Sequence, residues 1–182
     1  LHWRKFPRAM AALLLLLNGC GSPDNRVLEE VSEEVYKVEP DANISIRNQD
    51  GAVLVYGSEV NEVQVQSLKK AYSRERLNRI AIDVSTQPGA ISVIARIPPR
   101  PKWVFGDYSG TVECTITVPA TATISALDLN AGEVFLHSMR GPKVRARLND
   151  GRIVARNCFT NLELTMKRGA LTLTYDWWEQ EK

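Results

Sequence analysis

Apolar residues recur at one fixed set of spacings in three consecutive segments between residues 125 and 175. Aligned on Gly132, Gly151 and Gly169, these segments read LDLNAGEVFL, ARLNDGRIVA and LTMKRGALTL. Each has apolar residues five and three places before the glycine and two and four places after it. A fourth, degenerate copy, ISIRNQDGAVLVYG, surrounds Gly51. Because side chains alternate across a strand, spacings of two predict strands with one buried face on either side of each glycine.

Each copy is predicted to be a strand, a turn and a strand, since glycine adopts turn angles readily and Asp50-Gly51 and Asp150-Gly151 are favoured turn pairs. A single copy cannot bury its apolar stripe, so the copies must stack or pair. Consecutive hairpins and the coils of a β-solenoid both satisfy this requirement. Glycine intervals of 19 and 18 residues favour the solenoid. We therefore predict an all-β, single-domain, β-solenoid or β-helix-like stack of strand-Gly-strand repeats, with an antiparallel β-sandwich or meander as the alternative.

Alternating apolar residues also predict strands outside the repeats, at residues 35–38, 60–66, 80–84, 91–95 and 111–118. Gln87-Pro88-Gly89 predicts a hairpin turn between two of them. The basic run at residues 69–79 is typical of a solvated linker or short helix, with a phosphate-binding or acidic-polysaccharide patch as the alternative. Trp177 and Trp178 are predicted to point to opposite faces, one plugging the core and the other capping the open end of the stack.

The N-terminal residues have the pattern of a bacterial lipoprotein signal peptide. Three basic residues precede an apolar run that is too short to span a bilayer, and Leu17-Asn18-Gly19-Cys20 follows at once. We predict a signal peptide at 1–19, lipidation of Cys20, and a polar tether at 20–34 that leads to a β-repeat domain at 35–182. The spacing of Val27, Val31 and Val35 offers a short helix as an alternative within the tether. Gly21 after the cysteine favours an outer-membrane location facing the periplasm or the surface.

Charge gives no general argument for a polyanionic partner. The chain of 182 residues carries a net charge of +2, and removal of the three basic residues before Cys20 leaves 20 − 21 = −1. A near-neutral body does not favour nucleic acid, and we predict none as a partner. The predicted partners are instead a membrane, through the lipid, and an envelope polysaccharide or protein.

The longest predicted loop, PPRPKWVFGDYSG at residues 98–110, cannot lie inside a sheet because its three prolines remove main-chain donors. It displays aromatic and basic side chains together, which is a reasonable arrangement for contact with a sugar or a partner protein. The alternative is that these aromatic rings fold back over a core edge. The candidate ligand-binding residues are Arg100, Lys102, Trp103, Phe105 and Tyr108.

The sequence offers little catalytic or metal-binding chemistry. His137 is the only histidine after the predicted signal peptide, so a multi-histidine metal site is excluded and a Ser-His-Asp triad is disfavoured. Cys114 is expected to be a buried free thiol, and a disulfide with Cys158 stays open. No cofactor, metal or catalytic residue is predicted. Two groups of outward charges are typical of half-buried strands, and each has a functional alternative. The carboxylates could form a glycosidase site and the bases a binding face for acidic polymers: Asp128, Glu133, Asp150 and Glu163, and Lys143, Arg145, Arg147, Arg152 and Arg156.

The layout over about residues 35–175 resembles the DUF4097 family of proposed adhesins. The resemblance rests on NQDGAVLVYG, a basic excursion, a hairpin, TVECTITVP, and then NAGEVFL, NDGRIVA and KRGALTL in series. It implies a β-helix-like fold and a binding role, and it supplies no catalytic motif. We therefore predict a lipid-anchored envelope protein that binds or scaffolds without catalysis. The alternatives are a carbohydrate-active enzyme that uses surface carboxylates and a sensory or regulatory module of an envelope-stress system.

Overall fold

The computed structural model describes residues 26–99 and 109–176, and within them it contains nine strands and one short helix. The elements in chain order are β1 (Leu28–Lys37), β2 (Asn43–Ser58), β3 (Glu62–Ala71), α1 (Arg74–Asn78), β4 (Ala81–Gln87), β5 (Ala90–Arg96), β6 (Thr111–Pro119), β7 (Thr123–His137), β8 (Lys143–Arg156) and β9 (Asn161–Thr174). The prediction of an all-β protein is confirmed, and the basic run contributes the short helix α1.

The four repeat copies are the four long strands β2, β7, β8 and β9. These strands pair in parallel, with Gly51 opposite Gly132, Gly132 opposite Gly151, and Gly151 opposite Gly169. Consecutive hairpins would pair in antiparallel fashion, so the hairpin alternative for the repeats is wrong. Each copy is one rung of a parallel stack, as the glycine intervals predicted.

The repeat glycine forms a corner within a continuous strand, and the predicted turn is therefore wrong. All four glycines have φ between +128° and +135°, a region that residues with a side chain rarely adopt. A Cβ on Gly132 would overlap the carbonyl oxygen of Gly51 in the rung before it, and Gly151 and Gly169 meet the preceding glycine in the same way. The glycines are thus required both by their backbone angles and by the close approach of the next rung.

The remaining strands extend the stack into one open sheet with the order β1-β3-β6-β2-β7-β8-β9. The corner divides β2 into a first arm, which pairs in parallel with β5, and a second arm, which pairs in parallel with β6. The predicted hairpin is confirmed as the antiparallel pair of β4 and β5. As a result, the chain between β5 and β6 connects two different arms of the sheet.

The predicted apolar positions form the core. Leu127, Leu129, Val134 and Leu136 in β7 are at most 3% exposed, and the equivalent residues of β8 are equally buried. Burying each such side chain contributes roughly 1.5–3 kcal/mol. In the last rung, β9, Leu171 remains 49% exposed because no further strand among the described residues covers it. Trp177 and Trp178, predicted to plug the core and cap this end, lie outside the described residues.

The sheet begins at Leu28, inside the segment predicted to be a tether. β1 pairs with β3 along its whole length, so the alternative of a short helix there is wrong. Its inward face is partly polar, since the hydroxyls of Ser32 and Ser67 are hydrogen-bonded at 2.7 Å. Charges on an edge strand discourage pairing with other chains, and the four glutamates of β1 provide them. Cys20 and the predicted signal peptide lie outside the described residues.

Candidate functional site

The structure describes both ends of the predicted binding loop. Arg100, Lys102, Trp103, Phe105 and Tyr108 lie outside the described residues, so their role in binding stays a prediction. The loop leaves β5 through Pro98 and Pro99 and enters β6 through Ser109 and Gly110. The geometry of these two stems decides where the loop is presented.

Arg76 in α1 holds the two stems together. Ser73 caps the helix by accepting a hydrogen bond from the Arg76 main-chain nitrogen at 3.2 Å, which fixes the start of the helix. The guanidinium then donates to three main-chain oxygens, those of Pro98 at 2.6 Å, Pro99 at 2.9 Å and Ser109 at 2.7 Å. Arginine suits this role because its planar fork presents several donors in fixed directions.

Arg76 is only 5% exposed, in contrast to the solvated side chain predicted for the basic run. This burial could not be predicted from residue types, because the three acceptors are main-chain atoms that lie 22 to 33 residues further along the chain. Ser73 at the cap position was the one local indication that a helix begins here. The stems are therefore set by a buried cation and not by the prolines alone.

A cavity of about 480 Å³ opens beside the stems. Its lining residues include Lys70, Asp50 and the exposed Tyr72 together with apolar residues. Lys70 lies 3.8 Å from Glu29 and 3.7 Å from Glu113, so its charge is partly balanced. The cavity can therefore accept a small polar group without a strong preference for an anion. Its described lining residues are Val27, Gln49, Asp50, Lys70, Ala71, Tyr72, Arg76, Ile97, Pro98, Pro99, Ser109, Gly110 and Thr111.

The basic face predicted for the second repeat is balanced by acids of neighbouring rungs. The pairs are Lys143 and Arg145 with Glu163, Arg147 with Asp128, Arg152 with Glu133, and Arg156 with Asp176. These pairs link each rung to the next along the stack. Exposed pairs of this kind contribute little stability, but they leave no block of unbalanced positive charge on β8 to attract an acidic polymer.

The four candidate carboxylates take part in the same kind of ion pair between neighbouring rungs, and these pairs together are called the charge ladder. Arg168 approaches Asp150 at 2.6 Å, and the other three pair with the bases of β8. Hydrogen bonds from Lys143 and then Arg145 hold the pKa of Glu163 below its usual range. A general acid in glycoside hydrolysis needs a raised pKa, so Glu163 is unsuited to that role.

His137 belongs to a cluster of rings on the outer face of the second arms, which are the parts of the long strands that follow the corner glycines. Its ring stacks on Phe135 with centroids 6.1 Å apart and planes 9° apart, and Tyr56 from β2 lies 5.6 Å from Phe135. The rings occupy odd positions after the glycine, three or five places on, and these positions point away from the core. The aromatic residues five places after Gly51 and Gly132 were the sequence signal for this cluster.

The cysteines described by the structure are inert. Cys114 and Cys158 are both free and buried, as expected for Cys114. Burial, and to a lesser extent the charge of Glu113, raises the pKa of Cys114 to about 12. Burial also raises the pKa of Cys158, whose thiol donates to the main-chain oxygen of Arg156. A thiol held in its protonated form is a poor nucleophile and metal ligand.

Two further observations concern residues 26–99 and 109–176 only. No three His, Cys, Asp or Glu side chains there are grouped so as to hold a metal ion. No helix in these ranges has the length and apolar character needed to cross a membrane.

The described residues thus define an all-β protein built of parallel rungs with glycine corners, ion pairs between rungs, and two loop stems joined by a buried arginine. Among solved structures, the chain is similar to a "putative cell adhesion protein" from Clostridium sporogenes, with a TM-score of 0.46 and 11% identity over 81% of this chain and 100% of that one. It is also similar to a "putative adhesin" from Bacteroides fragilis, with a TM-score of 0.26 and 12% identity over 81% of this chain and 97% of that one. No family model and no curated protein matches the chain, so the resemblance to DUF4097 stays a prediction.

Proposed function

We propose that this protein is an adhesin-like binding module of the DUF4097 kind, without catalysis, which a lipid on Cys20 anchors to the bacterial cell envelope. The observation that carries the proposal is the clamp on the loop stems. A buried arginine donates to main-chain oxygens at both ends of one loop and so fixes the positions of its two stems, and fixed attachment points lower the entropic cost of binding. The loop carries three aromatic and two basic side chains within residues 100–108.

The charge ladder supports binding over catalysis. Each of the four candidate carboxylates has an arginine within ion-pair distance, so these side chains link neighbouring rungs. Among them, Glu163 has its pKa held below the usual range by hydrogen bonds from Lys143 and Arg145, which makes it poorly suited to donate a proton. The proposed partner is therefore an envelope polymer or protein that the loop contacts.

The loop is tested by replacing Trp103, Phe105 and Tyr108 together with alanine in the full chain. Affinity for the polymer bound by the wild type, chosen from peptidoglycan fragments, lipopolysaccharide, alginate and dextran, is expected to fall at least about tenfold, because central aromatic contacts dominate most interfaces. Biolayer interferometry measures the change. Phe159→Ala, which removes an exposed ring at the far end of the stack, is the matched control and should leave affinity unchanged.

Two outcomes would contradict this proposal. One is equal affinity of the wild type and the triple variant for the bound polymer. The other is the absence of binding to any of the four polymers together with hydrolysis of one of them, which would favour the carbohydrate-active enzyme.

The lipid anchor is tested separately with Cys20→Ser. In the bacterial host, the wild-type chain should partition into the detergent phase of a Triton X-114 extract, whereas the variant should move to the aqueous phase, because a serine cannot carry the thioether-linked lipid. Cys158→Ser is the control, since that thiol is buried in the domain. Partitioning of the Cys20 variant with the detergent would exclude anchoring through this residue.

A further inference from the structure

The outer face of the second arms carries a strip with aromatic residues at its centre and a single charge at one end. Two rows of outward side chains cross the sheet here from β6 to β8. One row is Thr115, Leu54, Phe135 and Val154, and the other is Thr117, Tyr56, His137 and Arg156. Arg156 is the only charge in these two rows, and it lies at the end of its row.

The rings form one continuous patch that spans two neighbouring rungs. Tyr56 lies 5.6 Å from Phe135 and 6.0 Å from His137, measured between ring centroids. All three are half-buried on the side of the sheet that faces away from the core. Leu54 and Val154 continue the apolar surface along the same row as Phe135. The buried core cluster lies on the opposite face of the sheet.

The patch also offers hydroxyl groups that have no partner. Within the described part of the chain, the hydroxyls of Tyr56, Thr115 and Thr117 make no hydrogen bond. A ligand that covers the patch must therefore combine an apolar face with polar groups at its edge, or the hydroxyls would be buried without partners.

The charges that border the patch are already matched. Arg152 approaches Glu133 at 2.7 Å, and Arg156 approaches Asp176 at 2.5 Å. A polyanion or an anionic membrane would have to displace these carboxylates, which favours an uncharged ligand.

We infer that this strip, centred on Tyr56, Phe135 and His137, is a binding surface for a neutral, extended glycan. The apolar C–H face of a pyranose ring stacks on an aromatic ring, while its hydroxyls bond to side chains at the edge. Neighbouring strands are about 4.8 Å apart, close to the length of one pyranose unit, so a glycan that lies along a row can contact one strand per sugar. This inference extends the proposed binding function by a second surface, because no residue of the strip lines the cavity at the loop.

The experiment titrates the full chain, purified in detergent, with cellohexaose, maltoheptaose and chitohexaose, and with an oligogalacturonate of similar length as the acidic probe. At least one neutral oligomer should bind more tightly than the acidic one and should shift the NMR resonances of the His137 and Tyr56 rings. Combined replacement of Tyr56→Thr and Phe135→Thr should lower the affinity at least about tenfold, since stacked rings are lost.

Matched variants separate loss of the rings from loss of the fold. Val35→Thr makes a similar change at the edge of the same face, outside the strip, so it should bind within about twofold of the wild type. Tyr56→Phe keeps the ring and loses the hydroxyl, so its affinity should fall between those of the wild type and Tyr56→Thr. Should the double variant fail to fold by circular dichroism, the single change Tyr56→Thr and the NMR shifts of the wild type decide the question.

Any of three results would overturn the inference: no binding of a neutral oligomer, equal or tighter binding of oligogalacturonate, or a dimer in sedimentation analysis that the double variant dissolves. The same titration of the loop triple variant keeps the two proposals apart. If the loop triple variant still binds the neutral oligomer, that binding is assigned to the strip. This conclusion does not depend on whether the loop variant loses affinity for the four polymers tested above.

Discussion

Gly151→Ala is expected to lower the free energy of unfolding by more than about 4 kcal/mol, and to leave little folded protein. A Cβ at this position would overlap the carbonyl oxygen of Gly132, and backbone atoms cannot move aside without separating β7 from β8. The backbone angle adds to the cost, because φ is +135°. Urea denaturation followed by circular dichroism measures the loss.

Gly89→Ala is the control for this experiment. Gly89 also has a positive φ, +71°, but a Cβ there would meet nothing within 4 Å. Only the conformational cost remains, roughly 1 kcal/mol. If the two variants are destabilised equally, close approach of the rungs is not the reason for the repeat glycines.

Arg76→Met is expected to cost about 3 kcal/mol of unfolding free energy. Methionine fills a similar volume but leaves the main-chain oxygens of Pro98, Pro99 and Ser109 without their donor, and unpaired buried acceptors are costly. Because the guanidinium joins both loop stems, the same variant should also weaken polymer binding at the loop. Urea denaturation and biolayer interferometry on one preparation measure both effects.

Arg79→Ala, at the C-cap of the same short helix, is the matched control. Arg79 is exposed and lies 3.7 Å from Glu75, so its loss should change stability by no more than about 0.5 kcal/mol. A comparably small effect of Arg76→Met would mean that the prolines alone fix the stems.

The repeat spacing was sufficient to predict a stacked all-β fold, because apolar residues at fixed distances from Gly132 and Gly151 must share one face. The corner could not be predicted in the same way. Asp150-Gly151 is a favoured hairpin turn, and only the parallel rung, 19 residues away, makes it a bend within one strand. Local sequence does not tell these two cases apart.

The parts of the site that escaped prediction depend on contacts between distant residues. Tyr56 and Phe135 are separated by 135 − 56 = 79 residues, and only the register of β2 against β7 brings their rings together. The burial of Arg76 could not be predicted, because its acceptors are main-chain oxygens and every residue has one. The charged ladders were visible as outward positions, but their pairing required the rung order.

The glycine-on-glycine contact has a consequence for how such a chain can change in length. Each rung offers its successor the same corner, the same apolar spacing and the same edge of main-chain groups that it receives from its predecessor. A tandem duplication of one repeat would therefore add one rung, about 4.8 Å along the stack, and the rungs on either side would need no change in sequence. The length of the stack therefore depends on the number of repeats, and the area of its outer face increases in proportion.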